Sequence, residues 1–193
     1  DSIGKFDIVL TNPPFWSKII STSEKTQKTF ELGHKWDFDQ TTDRYVKTNE
    51  LLSSVPPQVL FIERCIKLVK PGGRLGMVVP ESLISSKGYK YVVQYILDNT
   101  IIKAVIGMPE ALFKTSGKGG THTKTVLLVL EKDGKSAIER PKIFMAEAKW
   151  CGKNSRGQRI DKDDQPEILN KYNQYSLKQL IISVHRKQLF NIK

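Results

Sequence analysis

With only two cysteines and three histidines among 193 residues, the chain has little from which to build a disulfide framework or a metal cluster. Cys65 falls in an apolar helical pattern and Cys151 in a polar loop, far apart in sequence, so neither a bridge nor a zinc site is indicated. Free thiols of this kind point to a cytoplasmic protein. No run approaches about 18 apolar residues, and the first residues lack a signal-peptide pattern, so no membrane segment is expected. Internal repeats and low-complexity tracts are also absent. Acidic side chains are the scarcer sign: 20 Asp and Glu against 31 Lys and Arg leave a formal charge of +11. That surplus favours acidic partners such as nucleic acid. What the chain does have is enough apolar residue, 39%, for one soluble domain with an appendage. The expected division is residues 1–131, then an extension over 132–193.

The most informative stretch is Ile8-Val9-Leu10-Thr11-Asn12-Pro13-Pro14-Phe15, an apolar run ending at an amide, two prolines and an aromatic ring. Ile8 to Leu10 are apolar without alternation, which predicts a parallel strand covered on both faces. Asn12 then stands at the strand's carboxyl end, the edge where open α/β sheets bind ligands. Each proline fixes its own φ and drives the preceding residue towards extended geometry, so the loop is preorganised. The Asn12 side-chain oxygen and the Pro13 carbonyl can accept both hydrogens of an exocyclic amine, and Phe15 can stack on its ring. Stacking a base on an aromatic is worth roughly 1–3 kcal/mol, comparable with the few kcal/mol that extruding a base costs. The alternative is a plain turn after a strand, which Asn-Pro-Pro also allows.

At these residues the chain resembles the methyltransferases that act on adenine N6, whose signature is Asn or Asp, Pro, Pro, aromatic after a strand. Further segments, Phe30-Glu31-Leu32-Gly33-His34-Lys35-Trp36, Leu60 to Cys65, Lys70-Pro71-Gly72-Gly73-Arg74 and Phe144-Met145-Ala146-Glu147, resemble the modification subunit of type I restriction-modification systems. The likeness runs from Phe6 to about Tyr175. It implies that Asn12 and Pro13, with Pro14 behind them, hold the target amine, that Phe15 stacks on a flipped adenine, and that S-adenosylmethionine is the methyl donor. It also implies DNA and the specificity and restriction subunits as partners. The substrate nitrogen is then the nucleophile, so no Cys, Ser or metal is required. In that family a Gly-rich donor loop follows an earlier strand, whereas this sequence opens at Asp1, close to the site strand. Gly117-Lys118-Gly119-Gly120 leads into a strand rather than a helix, so it is not a cofactor loop. The expectation is the target-base half of the catalytic domain, with Asn12 its one donor-side contact and the amino-terminal half of the subunit as a further partner.

Along the rest of the chain, residues 16–54 show no sustained period and are expected to fold over the target base or the DNA, with Trp16, Phe30, His34 and Trp36 either packing the segment into an ordered lid, the favoured reading, or touching nucleotides. His34 reads as a structural hydrogen-bonding residue rather than a general base. Ser54-Val55-Pro56-Pro57 predicts a helix start with a hydroxyl cap, and Val59, Ile62, Ile66 and Val69 its buried stripe. Strand Leu75 to Val79 follows, with Glu81 at its end either reaching the target or serving the next helix start. A helix over Tyr89 to Leu97, strand Ile101 to Ile106, a helical turn at Ala111 to Phe113 and strand Thr125 to Leu130 complete the pattern. Its last two strands are an antiparallel pair. The fold class is α/β, the second half of a doubly wound, Rossmann-like methyltransferase sheet. A further strand at Lys142 to Ala146 and a helix from about Gln165 are expected in the extension.

The basic bias is concentrated at the back: 14 basic and 7 acidic residues follow Lys132 inclusive, against 17 and 13 before it. Lys153, Arg156 and Arg159 lie in a loop with Gly152 and Gly157, and Lys118 and Lys124 lie in or beside the glycine-rich loop. These are the candidate phosphate contacts. Ordinary solvated charge is the alternative, since Asp161, Asp163 and Asp164 sit beside them. Two rival functions stay open: an RNA or protein-glutamine methyltransferase, and a binding or assembly piece without catalysis.

Overall fold

The computed structural model describes residues 2–14, 23–113, 123–133 and 141–190, with Ala111 and 180–190 by backbone alone. Five strands form the main sheet: β1 (Phe6–Thr11), β4 (Val69–Pro80), β6 (Thr125–Lys132), β5 (Thr100–Met108) and β7 (Phe144–Glu147), in that spatial order. β1 runs parallel to β4 and β7 parallel to β5, while β6 lies between β4 and β5 and is antiparallel to both. The expected antiparallel pair is therefore present, and the extension contributes β7 to the same sheet.

One face of the sheet carries the core. Leu75, Met77 and Val79 of β4 alternate inward beside Leu128 and Leu130 of β6, all at most 2% exposed. Helices α2 (Pro57–Leu68) and α4 (Lys90–Asn99) cover them. Proline in the first turn suits α2, since its missing N–H has no intrahelical acceptor to lose. The expected Ser54 cap is not used: Pro56 occupies the cap position and no side chain bonds there. Val59, Ile62, Ile66 and Val69 are essentially buried as the spacing predicts. Burial of each such side chain is worth about 1.5–3 kcal/mol. The helix stops at Leu68 because Val69 is already extended and pairs with Phe6, and Pro71 disfavours a helical Lys70.

Residues 34–51, which show no clear period, form a hairpin, β2 (His34–Asp39) with β3 (Arg44–Leu51). It turns through Asp43 at positive φ. The hairpin is fastened to the helical layer rather than arched over the site. Gln94 of α4 accepts from the Tyr45 N–H and donates to the Tyr45 carbonyl, both at 2.8 Å. Arg44, next to the hairpin tip, pairs with Asp98 at 2.5 Å, two residues before β5 begins. That end of the helix lies at the sheet edge opposite Asn12, so the lid expectation is corrected for the described part of the segment. The aromatic residues pack as expected: Trp36 lies 6.2 Å from the Tyr91 ring, Arg64 sits over Phe30, and His34 Nδ1 bonds the Phe30 carbonyl.

Glu63 of α2, fully buried, explains how the segment is anchored. Its carboxylate accepts from the Glu31 and Leu32 N–H groups at 2.9 and 2.8 Å and pairs with Lys67 at 2.5 Å. Gln27 of α1 (Glu24–Gln27) donates to the carbonyls of Gly33 and Leu52, tying the two hairpin ends together.

Beyond β7 the basic stretch is a second hairpin, β8 (Cys151–Lys153) with β9 (Arg159–Asp163), where a loop was expected. Helix α5 (Gln165–Phe190) follows as one uninterrupted helix of 26 residues. No helix among the described residues is long and apolar enough to cross a membrane.

Candidate acceptor site at the carboxyl edge of the sheet

β1 has the expected bounds but not the expected burial. Phe6, Ile8 and Leu10 are 45%, 61% and 80% exposed, because among the described residues β1 pairs only with β4 and nothing covers its outward face. That face continues over the half-exposed Val78, Leu127 and Val129. At the far end of the sheet, Tyr172 and Tyr175 of helix α5 pack on Phe144 of β7. Gly76 leaves room for Leu10 to lie across the sheet; a Cβ there would stand 2.7 Å from the Leu10 Cδ2. The apolar run thus forms an edge strand with an open face, and its composition anticipates a cover outside this set of contacts.

Asn12 and Pro13 leave the carboxyl end of β1 one residue beyond the Thr11–Met77 pairing. Pro13 is buried and anchors the turn, while Asn12 and Pro14 are exposed. Among the described residues the Asn12 side chain has no hydrogen-bond partner. Phe15 lies outside the described residues, as do Trp16 and Lys118. Beneath the strand, burial pushes the Cys65 thiol above its usual range, partly opposed by a hydrogen bond with Thr11. Such a thiol is a packing group, not a nucleophile.

The same edge holds a charged cluster that sequence spacing did not bring together. Lys124, just before β6, reaches Glu147 at the end of β7 at 3.0 Å and Glu81 just after β4 at 3.7 Å. The paired carboxylates hold its ammonium above the usual lysine range. Glu81 also opens α3 (Glu81–Ser85) as a first-turn acid, in line with the helix-start alternative. Lys153, Arg156 and Arg159 are exposed on the second hairpin and make no ion pair among the described residues. No group of three or more His, Cys, Asp or Glu among the described residues could hold a metal ion.

Chemically, the edge offers a neutral amide and carbonyl oxygens on a loop whose prolines cannot donate. It suits a group with two hydrogens to give. Residues 1–188 match the N-6 DNA Methylase family.

The chain belongs to that family.

Solved structures agree on the fold. A protein assigned as a class I S-adenosylmethionine-dependent methyltransferase from Listeria monocytogenes is 23% identical with TM-score 0.52, over 75% of this chain and 37% of that one. A modification subunit assigned to a type I restriction enzyme from Vibrio vulnificus YJ016 is 18% identical with TM-score 0.55, over 87% and 31%. The type I restriction enzyme EcoKI M protein is 19% identical with TM-score 0.50, over 86% and 30%. This chain therefore spans about a third of the length of each. No curated protein matches it. At these identities the neighbours establish the sheet and its helices, and the family match carries the relation to DNA methylases.

Proposed function

We propose that this chain supplies the target-base side of an adenine-N6 DNA methyltransferase of the type I modification-subunit kind. The observation that carries the reading is the exposed Asn12 on a proline-fixed loop at the carboxyl edge of the sheet, in a chain of the N-6 DNA methylase family. The Asn12 Oδ1 and the Pro13 carbonyl accept the two hydrogens of the adenine amine. This orients the nitrogen lone pair for attack and favours its charge development without a protein nucleophile. Phe15 stacks on the extruded base and offsets part of the unstacking cost. Lys118, Lys124, Lys153, Arg156 and Arg159 are the phosphate-contact candidates.

S-adenosylmethionine is the proposed methyl donor. The described residues do not fit it by themselves: they include no glycine-rich turn from a strand into a helix amino terminus at the carboxyl edge. The open face of β1 instead supports docking of a donor-binding half against Phe6, Ile8 and Leu10. Specificity and restriction subunits of a type I system, and a cytoplasmic setting, belong to the same reading.

The test is calorimetric titration of S-adenosylmethionine into the chain, alone and with a donor-binding half from a family member. Heat only in the mixture is expected. Tight binding by the chain alone would refute the division of labour.

A further inference from the structure

We infer that the β8–β9 hairpin is a clamp for the phosphate backbone of duplex DNA, gripping it about half a helical turn from the base held at Asn12. The inference rests on the proposed DNA substrate and adds the element that holds it.

Lys153 and Arg159 are directly opposed across the antiparallel pair. Like charges in that position repel, and an anion between them removes the repulsion. Arg156 stands at the tip, in a turn closed by the Asn154 side chain, which accepts from the N–H groups of Arg156 and Gln158 at 2.9 and 3.1 Å. Gly152 and Gly157 adopt positive φ, which shapes this short hairpin.

Among the described residues, the neighbouring acids form no ion pair with these cations. Asp164 is engaged by the backbone N–H groups of Lys149 and Trp150 at 2.7 and 3.0 Å, and Asp163 by that of Gln165 at 3.0 Å. Those bonds fix the hairpin base to the start of α5. Asp161 makes no ion pair among the described residues. Lys162 stacks 4.8 Å from the Trp150 ring centroid at the base of the hairpin.

Position makes the patch relevant to Asn12. The hairpin follows β7, whose last residue lies at the carboxyl edge, and β8 packs beside the 3-10 turn Glu110–Leu112 that follows β5. Four strand steps separate β1 from β7. At about 4.8 Å per step this puts β7, which the hairpin follows, roughly 19 Å from β1, close to half of the roughly 34–36 Å turn of a DNA duplex. Between them Lys124 is held by Glu81 and Glu147, so among the described residues the mid-edge lysine is paired while Lys153, Arg156 and Arg159 of the hairpin are not.

The test is equilibrium binding of a fluorescent DNA duplex to the full chain across a salt series. Each phosphate contact contributes about 0.9 to the slope of log affinity against log salt. Lys153→Gln/Arg156→Gln/Arg159→Gln is expected to lower the slope by about 2–3 and to weaken binding at least tenfold. Arg156→Gln alone, at the exposed tip, should lower the slope by about one even if the triple variant folds poorly, and Lys35→Gln, on the β2–β3 hairpin and paired with Glu50, should change it least. Binding whose slope ignores the hairpin variants overturns the clamp and leaves the proposed function standing. Failure of the unaltered chain to bind duplex overturns the clamp and the DNA reading together. Equal loss of binding to polyglutamate and DNA, without a phosphate-dependent slope, would assign the hairpin to an acidic protein and overturn the inference.

Discussion

Replacing Glu63 with alanine should detach the segment that leads from the site loop to α2. The carboxylate is fully buried and accepts three donors: the N–H groups of Glu31 and Leu32, and the Lys67 ammonium. Leu32 is itself 0% exposed, so its N–H cannot turn to water once the acceptor is gone, whereas Lys67 can. An orphaned buried donor costs about 1–3 kcal/mol, and hydrogen bonds to a charged acceptor are worth about 1.5–3 kcal/mol each. Allowing for relaxation, the loss should be about 3–5 kcal/mol, a large part of the roughly 5–15 kcal/mol that stabilises a typical domain. Urea unfolding measures it, and hydrogen exchange at Leu32 locates it. Glu63→Gln should cost less, because one acceptor oxygen survives. Lys67→Met should cost less still, since the carboxylate keeps both backbone donors. A loss below about 1 kcal/mol for Glu63→Ala, or an order in which Lys67→Met is the worst, would refute this reasoning.

Leu10→Lys should shift the stability of the isolated chain by no more than about 0.5 kcal/mol, because the side chain is 80% exposed. It should nonetheless abolish association with a donor-binding half in sedimentation, as a buried unpaired charge would result; unimpaired association would mean that the open face is not the docking face. Gly33→Ala should destabilise by about 1–3 kcal/mol, since its Cβ would stand 2.4 Å from the Gln27 carbonyl oxygen; a neutral urea midpoint would show that the hairpin ends are loosely held. Burial pushes the Tyr91 phenol up to about 12 from its usual 10.0. Between those values the folded chain keeps a proton that the unfolded chain loses, so this residue's contribution to stability falls as pH rises through the window. Tyr91→Phe should remove one late-ionising phenol from the tyrosinate titration, and ionisation of Tyr91 near 10 in the folded chain would contradict its packing.

The local signals in the sequence were reliable wherever the physics was local. Prolines and the stripe Val59, Ile62, Ile66 place α2, and the β-branched runs place β1, β5 and β6, because period and turn chemistry act within a few residues. The apolar, non-alternating sequence of β1 predicts cover on both faces; the pattern records what the strand is built to meet, and the contacts among the described residues leave one face bare. Hairpin β2–β3 is not legible in the sequence because its second strand is held by Gln94 and Asp98, both distant in sequence, and not by alternation of its own. The same holds for Lys124 with Glu81 and Glu147: three elements converge through sheet order alone. In the basic stretch, charge and two glycines were visible, but the pairing that opposes Lys153 to Arg159 required the register.

The most direct test of the central claim is methyl transfer from labelled S-adenosylmethionine to duplex DNA by this chain complemented with a donor-binding half, followed by nucleoside analysis of the product. The account predicts label in N6-methyladenine with the unaltered chain and none with Asn12→Ala, whose DNA affinity and salt dependence stay within about twofold. Label on cytosine, or N6-methyladenine formed at an undiminished rate by Asn12→Ala, would contradict it.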